Sequence, residues 1–145
     1  MGSSTVTYRN QKFDAADATL EIWLLLLIDA IDAMPVPPAW LGEVREEWYL
    51  HATQAFGFGV VPGLDWAAPD NERRDVILDL CGTAIQRLQN WGPLMTREEL
   101  DHITRENVGG YFTGDLDAKI FIKCADYFIK LLHQSLKPDE LDARF

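Results

Sequence analysis

The sequence predicts an all-α fold, a single-domain bundle of about five helices. Apolar residues recur at three- and four-residue spacing through several long segments, and proline, glycine or a capping residue bounds each of them. No stretch alternates apolar and polar side chains for long enough to read as a strand. At 145 residues the chain has the common size of one domain. A globule of that length buries roughly 70 % of the surface its unfolded chain exposes, so it needs no disulfide or metal to fold.

Residues 1–12 are polar and aperiodic and are expected to form a flexible arm; the opening Met1-Gly2-Ser3-Ser4 carries no signal. Phe13 and Asp14 read as a staple and cap for a first helix over 14–34. Leu20, Trp23, Leu24, Leu27, Ile28 and Ile31 form its stripe, and Leu25 and Leu26 widen it to most of the circumference, which places this helix in the middle of the bundle. Pro35, Pro37 and Pro38 stop it, since proline lacks the amide donor and clashes with the preceding turn.

A second helix over 37–56 can accept Pro37 and Pro38 in its first turn. It carries Trp40, Leu41, Val44, Trp48, Ala52, Ala55 and Phe56 on its buried face and Glu43, Arg45, Glu46 and Glu47 on its wet one. From Gly57 to Pro69 the turn chemistry of Pro62-Gly63 predicts a loop, unusually apolar for one, with Phe58, Val60, Val61, Leu64 and Trp66. Asp70 caps a third helix over 71–91, which Gly92-Pro93 ends. Thr96 and Glu99 form a capping box for a short helix over 97–107. After Gly109-Gly110, a second aromatic loop holds Tyr111 and Phe112. Asp115 then caps a last helix over 116–136 with the stripe Leu116, Ile120, Cys124, Tyr127, Phe128, Leu131 and Leu132. The bundle domain thus runs over 13–137, and 138–145 is a polar tail.

Twenty-three acidic against 13 basic side chains give a net charge of −10. Nucleic-acid binding needs clustered lysine and arginine to meet phosphates, and an anionic membrane repels such a chain, so neither is an expected partner. A basic protein is, because long-range steering rewards opposite charge. Cys81 and Cys124 fall among apolar residues of predicted helices and read as buried free thiols. The run Ile22–Ile28 is seven residues flanked by acids, too short to span a bilayer, and the expected compartment is the cytoplasm.

The residues that could carry chemistry are few. His51, His102 and His133 fall on three predicted helices. In number they resemble the metal triad of DinB-type helical hydrolases and transferases, although the paired histidines one turn apart are missing. Glu99-Leu100-Asp101-His102 resembles half of a ferritin-like di-iron motif, whose second half is absent. Glu43-x-x-Glu46 and Glu98-x-x-Asp101 resemble the acidic pairs of MazG-type pyrophosphohydrolases and dimeric dUTPases. Here Glu98 follows Glu46 by 52 positions, with a helix between them. No Gly-x-Ser-x-Gly or phosphate loop is present.

What stands out is surface: Phe58, Trp66, Tyr111 and Phe112 in two loops, beside Glu43, Glu46, Glu47, Asp70, Glu72 and Asp75. Rings supply buried area and acids supply steering, the combination that grips a basic partner. The expected function is therefore non-enzymatic, without cofactor: an acidic protein-binding domain that occludes a partner. In composition it is similar to bacterial immunity proteins, antitoxins and effector chaperones. The alternatives are a metal-dependent helical enzyme using the histidines or acidic pairs, and a bundle that binds a small molecule. An exposed aromatic patch serves a homodimer equally well.

Overall fold

The computed structural model describes residues 2–54, 59–92, 94–96 and 116–137. The predicted bundle is present: five helices among these residues, α1 (Asp17–Asp32), α2 (Ala39–Gln54), α3 (Leu64–Ala67), α4 (Asn71–Asn90) and α5 (Ala118–Leu132). As its all-round apolar character predicts, α1 occupies the centre. Fourteen of its residues are buried, and it packs against α2, α4 and α5. Trp23 meets Phe128 of α5 edge-on, with ring centroids 5.7 Å apart. The acids at the C-terminal end of α1, which its own dipole disfavours, are met by arginines from two of these helices. Arg45 of α2 bonds Asp32 at 2.6 Å and Arg87 of α4 bonds Asp29 at 2.6 Å.

Residues 3–16 depart from the expectation of an arm running into a helix at 14. They form an antiparallel hairpin, β1 (Ser3–Tyr8) and β2 (Gln11–Ala16), with Val6 opposite Phe13. Val6, Tyr8, Phe13 and Ala15 are fully buried, while Thr5, Thr7 and Lys12 face outward. One face of the ribbon therefore seals the bundle, in the alternation a half-buried strand requires. Asp14 is a cross-strand partner of Thr5, at 2.5 Å, and not a helix cap. Helix α1 instead begins at Asp17, whose amide donates to the Gly2 carbonyl and whose carboxylate accepts from the Ser4 hydroxyl. The hairpin is stitched to the end of α5: Gln134 donates to the Tyr8 carbonyl at 3.0 Å, and the Leu136 amide donates to Gln11 at 3.3 Å.

Helix α4 follows its sequence signals at both ends. Asp70 accepts from the Arg73 amide at 2.8 Å, and Gly92 leaves the helix with φ +85°. At α5 the cap is Asp117, bonded to the Lys119 amide at 2.9 Å, because Leu116-Asp117 (β4) is extended and pairs with Leu94-Met95 (β3). Cys124, Phe128, Leu131 and Leu132 are buried as expected, but in the first turn Phe121 is in the core and Ile120, expected there, is exposed. The predicted helix over 97–107, the tail over 138–145, and Asp115, Ala55 and Phe56 lie outside the described residues.

Candidate functional site

From Val60 onward the apolar segment after α2 folds back over the body and is held at successive residues. The Ser4 hydroxyl accepts from the Val60 amide at 2.8 Å, and His51 Nδ1 of α2 accepts from the Val61 amide at 3.2 Å. Trp48 Nε1, itself buried, donates to the Pro62 carbonyl at 2.8 Å. Gly63 then adopts φ +62°, a left-handed conformation that other residues rarely accept, and its carbonyl starts α3 by accepting from the Trp66 and Ala67 amides. The far end is fixed by Tyr8, whose hydroxyl donates to the Ala68 carbonyl at 2.7 Å, and by Asp65, which accepts from the Arg9 amide at 2.9 Å.

This clamping buries Val60, Leu64 and Ala67 and leaves two large apolar side chains outside: Val61, 53 % exposed, and Trp66, 50 % exposed. They form a ridge with a cleft on each side. The larger, about 440 Å³, is lined by Glu47 and His51 of α2 with Val61, Pro62, Gly63 and Trp66. The smaller, about 270 Å³, lies toward β1 and is lined by Thr5, Thr7 and Asp65 with the same loop. Leu50, on the same helix as Glu47 and His51, is also exposed.

Of the residues expected at a binding surface, Trp66 and Glu47 meet in the larger cleft. Glu43 and Glu46 are exposed on the preceding turn of α2, where Glu46 pairs with Arg45 at 3.1 Å. Asp70 is spent as the cap of α4, Glu72 is exposed on its first turn, and Asp75 is exposed beside Arg74. Phe58, Tyr111 and Phe112 lie outside the described residues. Val61, Gly63 and His51 were not expected at this surface. Only the tethering of the loop to α2 brings them there, and nothing in their local sequence signals it.

The residues weighed for chemistry are dispersed. His51 tethers the loop, His133 is the exposed C-cap of α5, and His102 lies outside the described residues. Among the described residues no group of three or more His, Cys, Asp or Glu side chains is placed to hold a metal ion. Cys81 and Cys124 are free, as expected, and fully buried. Burial pushes the Cys124 thiol up to about 12 and also raises that of Cys81, the latter aided by Cys124 nearby. Burial of this kind favours the protonated thiol over the reactive thiolate. Among the described residues no helix is long and apolar enough to cross a membrane. No protein family, curated protein or solved structure matches this chain.

Proposed function

We propose that this chain is an acidic, non-enzymatic binding domain of the cytoplasm that docks onto a basic protein and occludes it, in the manner of an immunity protein or antitoxin. The observation that carries the reading is Trp66. A large ring held half out of the body by a loop tethered at both ends is already ordered, so binding loses little conformational freedom there. Central aromatics of this kind dominate interface energies, and Glu43, Glu46 and Glu47 on the adjoining helix supply a negative rim. Against a target that binds an anionic substrate, such carboxylates would occupy the substrate's place.

The test is co-expression with the product of the adjacent upstream gene, followed by calorimetry on the purified pair. A one-to-one complex is expected, and Trp66→Ala should weaken it by about 2 kcal/mol or more, roughly thirtyfold. The same substitution should change folding stability by less than about 1 kcal/mol, because the ring is half exposed. A partner found by any route whose affinity ignores Trp66→Ala would remove the proposal. A second reading, a small organic ligand, is favoured by the volume of the larger cleft, about 440 Å³, which is within the range of ligand pockets.

A further inference from the structure

The chain covers its own partly exposed rings with cations. Arg45 lies over Tyr49 at 5.8 Å, Arg73 over Trp40 at 5.0 Å, Arg87 over Trp91 at 4.9 Å and Lys130 over Tyr127 at 5.6 Å. Even Tyr8, buried beneath the hairpin turn, has Arg9 at 4.9 Å. Trp66 is the exception: the exposed large aromatic has no cation over it among the described residues. Several exposed or half-buried acids are likewise paired within the chain, Asp29 and Asp32 with arginines and Asp126 with Lys130. Glu47, like Glu43 and Glu72, has no ion pair among the described residues, and of these three it is the one that shares a cleft with Trp66. The uncovered ring and the unpaired carboxylate line the same cleft.

From this we infer that the cleft between α2 and the Val61–Trp66 segment receives one arginine side chain of the partner protein, its guanidinium stacked on Trp66 and paired with Glu47. The inference rests on the binding-domain reading above and names the group that the partner must present. Arginine fits better than lysine, because a planar, weakly hydrated guanidinium can stack on an indole while its edge pairs with a carboxylate. Val61 and Pro62 offer an apolar wall for the aliphatic stem. His51 at the same cleft is already engaged by the loop, its Nδ1 accepting from the Val61 amide at 3.2 Å.

The test uses the full chain, labelled with nitrogen-15, and two probes: an acetylated, amidated peptide of glycines with one central arginine, and the same peptide with citrulline, which keeps the shape and loses the charge. The arginine peptide should give saturable shifts at the His51, Val61 and Gly63 amides and the Trp66 indole, with citrulline at least about fivefold weaker. Glu47→Gln, an exposed change that leaves the fold intact, should raise the arginine peptide's Kd about threefold to fivefold. Equal shifts from both peptides, shifts centred on other acids, or a Kd indifferent to Glu47→Gln would each overturn the inference. If the peptide fails while a protein partner still depends on Trp66, the arginine site is wrong and the wider reading stands. If the peptide binds as described but no protein partner depends on Trp66, the site is right and the wider reading falls.

Discussion

Glu21 lies on the central helix with 3 % of its surface exposed, and its Oε2 has no hydrogen-bond partner. Desolvation, and secondly the Asp17 carboxylate one turn earlier, push its pKa from 4.5 up to about 7. A carboxyl raised in this way holds its proton more tightly folded than unfolded. It therefore costs the fold nothing below the unfolded value and progressively more as pH climbs toward the folded one. Glu21→Gln cannot ionise, so its stability relative to the natural chain should rise by about 2 kcal/mol between about pH 5.5 and about pH 8. Urea titrations of both chains at the two pH values check this. Carboxylates remote from Glu21 cancel in the difference, and a gap that stays constant with pH would show that Glu21 ionises freely.

At the scale of elements, the hairpin decides whether the N-terminal residues are ornament or structure. Removing residues 2–12 takes β1 and its turn away and uncovers what Val6 and Tyr8 seal, a loss of about 3–6 kcal/mol for two fully buried side chains. Chemical denaturation should show that loss, whereas a loose arm would cost less than about 0.5 kcal/mol. The sequence held the hairpin's alternation, Val6 and Tyr8 against Phe13 and Ala15, but only over six residues in each strand. Its turn offers no glycine either, and Arg9 takes φ +54° in place of one. Asp14 ahead of an apolar run looks locally like a helix cap, and only the cross-strand bond to Thr5 shows otherwise. Helix α4 was legible because both its signals, Asp70 and Gly92, act within one turn of where they stand. The site was half legible for the same reason. Trp66 and Glu47 announce themselves as an exposed-type ring and a wet-face acid, but their shared cleft depends on Trp48 reaching the Pro62 carbonyl and His51 the Val61 amide, contacts between segments that no local pattern encodes.

For the molecule as a whole, the governing quantity is the net charge of −10. Charge of one sign acts over about 10 Å at moderate salt, so it governs how fast an oppositely charged partner arrives more than how long it stays. The half-buried ring acts in the opposite way: it touches the partner only after docking, and losing it speeds dissociation. The two contributions should therefore separate in one stopped-flow experiment. Association with a basic partner should slow about tenfold between about 20 mM and about 200 mM salt, with dissociation changing less than about twofold. Replacing Glu43, Glu46 and Glu47 together by glutamine should flatten that salt dependence, and Trp66→Ala should preserve it while raising the dissociation rate. A salt slope untouched by the triple change would mean that the acids of α2 keep the chain soluble and do not steer it. Trp66 would then have to account for recognition without them.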